Sequence, residues 1–162
     1  ILGASDQFVL PGLAKLAAKG QIVGTGDQEF SVISVEDYAH IIVSLSAYIY
    51  LATDTEQRAL NVGYRQPVSF AELQEVIAAA IGENPKKIKR IPVYRWLPTI
   101  MRWLPIEGID QKATQLELVG FDHSGDIREL EKRIGCDVVE KSASEVVKKV
   151  VADWAEIRNH SL

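Results

Sequence analysis

The sequence predicts a helix-rich mixed α/β fold in which short strands are flanked by helices, and three observations carry that expectation. Apolar residues recur at helical spacing in several separate stretches. Short extended pieces bounded by turn residues fall between them. The composition, 47% hydrophobic and 25% charged, is that of a globular chain, which excludes disorder, collagen and coiled coil. The 162 residues suffice for a single domain, 1–162, with one hydrophobic core.

The elements follow in order. Phe8, Leu10, Leu13, Leu16 and Ala17 recur near helical spacing up to Lys19, with Gly20 placed as a C-cap and Pro11 suited to the first turn. Gln21 to Asp27 reads as an extended piece ending in a glycine turn, and Phe30 to Val35 alternates as a strand does. Ser34-Val35-Glu36-Asp37 resembles a capped helix start, leading to an apolar helix that ends near Ala52. Its apolar residues cover most of its circumference, which predicts burial on several sides and, if the chain is a piece of a longer protein, apolar surface left exposed where the rest would pack.

Ala59 to Gly63 reads as a short buried strand. Ser69-Phe70-Ala71-Glu72 is the clearest local signal. Ser69 and Glu72 form a capping box, and Val68 is placed to staple onto Leu73. Leu73, Val76, Ile77, Ala80 and Ile81 share one face of that helix, and Gly82 ends it. Lys87 to Pro92 is extended. Val93 to Leu104 is apolar and aromatic but holds Pro98, which predicts a kinked or two-part helix. Ser124 to Ile134, ended by Gly135, and Ser142 to Arg158 read as closing amphipathic helices.

Eighteen Lys and Arg against 22 Asp and Glu leave a formal charge of −4, so global charge gives no reason to seek nucleic acid or an anionic membrane. Cys136 stands alone and allows neither an intrachain disulfide nor a cysteine zinc cluster. With no basic leader at its start, the chain reads as cytoplasmic. The longest uncharged run, 16 residues between Asp37 and Asp54, falls short of the ~20 apolar residues of a spanning helix and reads as a buried core helix. The first residue is Ile1, which suggests a piece of a longer protein.

The chain lacks the usual chemistry-bearing motifs. Gly20, Gly24 and Gly26 do not have the spacing of a dinucleotide loop, and a strand rather than a helix follows them. There is no Walker A loop and no Gly-x-Ser-x-Gly elbow. His40, His123 and His160 lack metal-ligand companions and read as structural or solvated. None of the five tyrosines has Lys four residues on, so no Tyr-x-x-x-Lys pair exists for proton transfer. Lys86-Lys87-Ile88-Lys89-Arg90 is the one basic cluster, an exposed strand edge on its plainest reading and an anion site on the other.

The order of elements resembles a known family. Leu2-Gly3-Ala4-Ser5-Asp6 before an apolar helix resembles the Tyr-Gly-Pro-Gly-Asp segment of extended short-chain dehydrogenases/reductases. Gly24-Thr25-Gly26-Asp27 and then Val32 to Ala39 are similar to their Gly-Asp-Gly turn and Val-x-Asp-Val-Ala helix start. Leu60-Asn61-Val62-Gly63, followed by Gln66 to Leu73, is similar to their Tyr-Asn-Val-Gly and Pro-Val-Ser-x-x-Glu-Leu segments. Ile91-Pro92 fits the strand that follows, and Phe121 to Ser124 with Leu130 and Ile134-Gly135 resembles their Asp-x-Ser-Lys and Leu-Gly close.

The resemblance covers only the C-terminal, substrate-binding half of such enzymes, without a complete Rossmann half. It implies the substrate-binding domain of an NAD(P)-dependent epimerase/dehydratase or of a hydroxy-dehydrogenase like the 3-beta-hydroxysteroid enzymes. NAD or NADP would belong to the full-length enzyme, none would bind tightly to this chain, and no catalytic residue is expected in it. The N-terminal Rossmann half would be its partner, and a homodimer is an open arrangement. The alternative is a non-catalytic scaffold or interaction module derived from the same family.

Nucleotide-sugar members carry an arginine five residues before the Val of Val-x-Asp, and here that position is Phe30. An apolar alcohol or lipid-like substrate is therefore expected over a nucleotide sugar, with Phe30, Tyr94, Trp96 and Met101 as substrate-binding residues. Tyr94 to Leu104 would line an apolar pocket, touch a lipid surface or simply pack as core, the last being the usual fate of an aromatic stripe. Asp37 reads as a helix-start residue before a catalytic one.

Overall fold

The computed structural model describes residues 1–51, 59–83, 89–134 and 137–160. The order of elements is α1 (Val9–Ala18), β1 (Gln21–Val23), β2 (Glu29–Phe30), α2 (Val35–Leu51), β3 (Val68–Ser69), α3 (Phe70–Ala80), β4 (Lys89–Ile91), α4 (Leu97–Arg102), α5 (Ile109–Gly120), α6 (Arg128–Ile134) and α7 (Ala143–His160). This is the helix-rich mixed α/β pattern with short strands. The chain divides into two compact units. One holds Ile1–Pro11, Ser31–Val68 and Ser124–Leu162; the other holds Gly12–Phe30 and Ser69–His123.

In the first unit the opening segment is tied down at both ends. Leu2 bridges Ser34 in parallel, its N–H donating to the Ile33 carbonyl and its carbonyl accepting from Val35. Asp6 Oδ1 then accepts the amides of Phe8, Val9 and Leu10 at 2.8, 2.7 and 3.1 Å, which caps α1. Pro11 falls in the first turn, as expected. The extended stretch predicted from Phe30 to Val35 is shorter, because Leu2 offers only this single bridge before the Gly3 turn. Ser34 caps α2 as predicted, its Oγ accepting the Asp37 amide at 3.1 Å. Residues 59–63 are not a strand; the ladder is limited to one bond, from the Tyr64 N–H to the Val32 carbonyl.

Among its described side chains the second helix is not buried on several sides and exposes the apolar surface expected of a piece of a longer protein. Ile41 and Asp37 are buried, but Val35, Ile42 and Val43 are exposed, the last by 70%. Its predicted end at Ala52 lies outside the described residues, as do Gly135 and Cys136. α6 begins at Arg128 rather than Ser124, because Asp126 turns back to accept the Arg128 amide at 3.0 Å. α7 buries Val147, Val150, Val151 and Trp154 at helical spacing, and the Trp154 indole donates to the Asp6 carbonyl at 3.0 Å. Burying an indole needs such a partner.

In the second unit β1 and β4 pair in parallel, Gln21 with Lys89, Ile22 with Arg90 and Val23 with Ile91. α3 follows the reading closely. Ser69 Oγ accepts the Glu72 amide at 3.2 Å, and Gly82 follows the helix at φ +71°. Leu73 and Ile77 are buried on one face. Two departures occur downstream. Pro98 does not kink a long helix; it opens the six-residue α4, in the first turn where a missing N–H costs nothing. α5 was not foreseen. It packs against α4, and Arg102 clamps Glu117 bidentately at 2.8 and 2.6 Å.

Candidate functional site

The glycine turn after β1 is built around one side chain. Gln28 is 6% exposed and lies inside the turn. Its Oε1 accepts the Gly26 amide at 2.8 Å, and its Nε2 donates to the carbonyls of Val23 and Val119. Gly24 holds φ +75°, and a Cβ there would meet Gln28 Nε2 at 2.9 Å. Two further amides of the turn are committed, Gly24 to the Ile91 carbonyl and Asp27 to Thr25 Oγ1. The carbonyls of Gly26 and Gln28 accept the amides of Ala71 and Phe70 and so satisfy the first turn of α3. A phosphate cradle needs free amides aimed at an empty hollow. Here the Gln28 side chain occupies the hollow and takes up the Gly26 amide, so the turn is not an open phosphate cradle.

Beside this turn lies a cleft of about 580 Å³ within the second unit. Arg90 and Arg95 line it, with Thr25 and Asp27 from the turn and Val93 and Phe121 as apolar wall. Arg90 reaches the cleft from β4, where it pairs opposite Ile22 in the two-stranded sheet. Lys89 and Arg90 are exposed, as the strand-edge reading expects, while Lys86, Lys87 and Ile88 lie outside the described residues. Among the described residues, no His, Cys, Lys or Tyr lines the cleft. Its two arginines suit it to a polar or anionic group.

The four residues expected at the substrate fall in two places. Phe30 is half-buried, its ring 5.9 Å from Phe70 and 5.9 Å from His123. His123 is structural: its ring nitrogen also meets the Glu117 carbonyl at 3.0 Å. Tyr94 and Trp96 stack on each other at 5.5 Å and 10°, and Met101 is half-buried on α4. The core-packing expectation for Tyr94 to Leu104 is corrected. Tyr94, Trp96, Ile100, Trp103 and Leu104 are exposed, and only Pro98 of this run is fully buried. With a helix of only six residues, one side suffices to cover the core.

The first unit holds a buried polar cluster that the sequence did not reveal. Tyr64 Oη donates to Asp37 Oδ2 at 2.6 Å and accepts the Ser34 amide at 3.2 Å. Lys141 Nζ donates to Asp37 Oδ1 at 2.6 Å. Burial pushes the Asp37 carboxyl upward, but the hydrogen bonds from Lys141, Tyr64 and Ser34 outweigh it and hold the carboxyl below its usual range. Burial, then the bond to Asp37, pushes the Tyr64 hydroxyl up. A proton-transfer tyrosine needs the opposite shift. The cluster is a lock on the start of α2, as the helix-start reading of Asp37 implied. Lys141 is 104 residues from Asp37 and carries no local signal.

Among the described residues no group of His, Cys, Asp and Glu can hold a metal ion, and no helix is long and apolar enough to cross a membrane.

No family model matches the sequence, and no curated protein matches it significantly. The fold does match solved structures. UDP-galactose 4-epimerase is 18% identical over 96% of this chain and 43% of its own, with a TM-score of 0.62. UDP-N-acetylglucosamine 4-epimerase from Methanobrevibacter ruminantium M1, solved with UDP-N-acetylmuramic acid, is 14% identical over 99% and 43%, with a TM-score of 0.55. RMD from Pseudomonas aeruginosa, complexed with NADPH, is 16% identical over 96% and 45%, with a TM-score of 0.52. The fold is therefore that of part of these solved structures. The chain spans less than half the length of these structures.

Proposed function

We propose that this chain is the substrate-binding, C-terminal portion of an NAD(P)-dependent epimerase/dehydratase or hydroxy-dehydrogenase. The observation that carries the reading is the match of 96% of this chain to 43% of UDP-galactose 4-epimerase. The filled glycine turn and the missing Tyr-x-x-x-Lys agree with a portion that recognises substrate while NAD or NADP and the catalytic groups belong to the remainder of the parent protein. Proton and hydride transfer need those groups positioned together.

The substrate is an apolar alcohol or lipid-like molecule rather than a nucleotide sugar. Phe30, at the position where an arginine would meet a diphosphate, is half-buried between Phe70 and His123, and unpaired phosphate charge is prohibitive to bury. Calorimetric titration of the chain with NAD and NADP is expected to give affinities weaker than micromolar; micromolar binding overturns the division of labour. Saturation-transfer NMR against apolar alcohols and UDP- and dTDP-sugars tests the substrate class. Nucleotide-sugar binding that Arg90→Gln abolishes would show that the cleft arginines replace the one missing at Phe30.

A second reading, a non-catalytic scaffold of the same fold, is favoured by the exposed Val35, Ile42 and Val43 on α2. Self-association that Val43→Ser abolishes would support it.

A further inference from the structure

We infer that residues 89–106 dock on an anionic membrane surface. The argument starts from α4 turned the wrong way for a water-facing helix. Trp96 and Trp103, the residues bounding it, have helical dihedrals, φ −79°, ψ −18° and φ −85°, ψ −10°. The Ile100 amide donates to Trp96 and the Trp103 amide to Ile100, at 3.1 and 3.0 Å. Trp96, Ile100 and Trp103 thus share one side of about two helical turns, at spacing i, i+4 and i+7. All three face solvent, exposed by 57%, 50% and 84%. The inward side is held by buried Pro98, and the bidentate Arg102–Glu117 pair pins α4 to α5. Tyr94, stacked on Trp96, and the exposed Leu104 and Ile106 extend the same apolar surface.

Charge chooses the occupant. Besides the Glu117-paired Arg102, residues 89–106 contain Lys89, Arg90 and Arg95 and no acidic residue, the first being Glu107, in a chain where 22 acidic residues outnumber 18 basic ones. The global balance disguises this local one. Exposed Trp and Tyr beside Ile and Leu, rimmed by cations, match the boundary between anionic headgroups and acyl chains. A second copy of the chain fits worse, since an isologous contact would set these cations against themselves. Nucleic acid would engage the cations and the rings but leave Ile100, Leu104 and Ile106 in water. A helix of six residues lies on such a surface and does not enter it deeply.

The test is co-sedimentation of the full chain with phosphatidylcholine vesicles, with and without phosphatidylserine, read also by tryptophan emission. It needs neither cofactor nor substrate, so its result is separate from the proposed enzyme role. Expected is partitioning onto the phosphatidylserine vesicles that weakens with salt. Each of Arg90→Gln and Arg95→Gln should lower it about fivefold. Trp96→Ala with Trp103→Ala should lower it about tenfold or more, with the far-UV spectrum unchanged because both rings are exposed. The inference is overturned by no partitioning, by equal partitioning onto phosphatidylcholine alone, or by partitioning that the double tryptophan variant retains. Tryptophan-dependent dimerisation or polyuridine binding, without vesicle binding, overturns it equally.

Discussion

Tyr64→Phe isolates the buried lock on α2. The phenol is 2% exposed, and the substitution removes one oxygen and nothing else of its shape. That oxygen donates to the Asp37 carboxylate at 2.6 Å, and a hydrogen bond to a charged group is worth about 1.5–3 kcal/mol. It also accepts the Ser34 amide, whose loss strands a buried donor at about 1–3 kcal/mol. Asp37 keeps Lys141, so the two maxima do not add, and about 3 kcal/mol is expected in urea unfolding at pH 7. Lys141 is half exposed, and its share is discounted for screening.

The pH dependence gives a second readout. Asp37 is held below its usual range, so its contribution is present above the unfolded value near 3.9 and is lost as pH falls through the lower folded value. Tyr64 is shifted up, so its contribution is whole below about pH 10 and fades as pH climbs through the higher folded value. The gap between wild type and Tyr64→Phe should be level from pH 5 to 8 and narrow below about pH 4. A gap under ~0.5 kcal/mol at pH 7, or one unchanged at pH 3, would refute the reasoning.

Three further outcomes follow. Ser69→Ala should cost about 1 kcal/mol in chemical denaturation, the worth of the N-cap to Glu72, and Ser69→Asp should restore it. Gln28→Leu should cost about 3 kcal/mol or more, because it leaves the Gly26 amide and the carbonyls of Val23 and Val119 without partners; the thermal midpoint checks it. Asp6→Ala should cost about 1 kcal/mol and increase hydrogen exchange at Phe8, Val9 and Leu10, whose amides share its carboxylate.

Much of the helix pattern was legible because its signals are local. Ser34 and Ser69 announce their helices through capping geometry, and Gly82 ends one by the φ it must adopt. What was illegible depended on distant partners. α5 escaped notice although Ile109, Ala113 and Leu116 keep helical spacing, since only Ala113 is fully buried and the polar residues between them mask the pattern. Hydrophobicity all round implies burial only when enough of the fold is present to provide it, and Val43 has no such cover. Of the site, only the glycine spacing of the turn was legible. That Gln28 fills it, and that Lys141 reaches Asp37, needed three dimensions.

The backbone passes between its two units at Pro11–Gly12, Phe30–Ser31, Val68–Ser69 and His123–Ser124. Neither unit is therefore a contiguous stretch that a ribosome could release ready to fold. The first is the more constrained, since the Asp6 carbonyl awaits the indole of Trp154, 148 residues later. Closing so long a loop is slow, and the reward arrives only once α7 has been made. Until then the first unit lacks the Val147, Val150, Val151 and Trp154 of its core, and its apolar residues already made are open to non-native association.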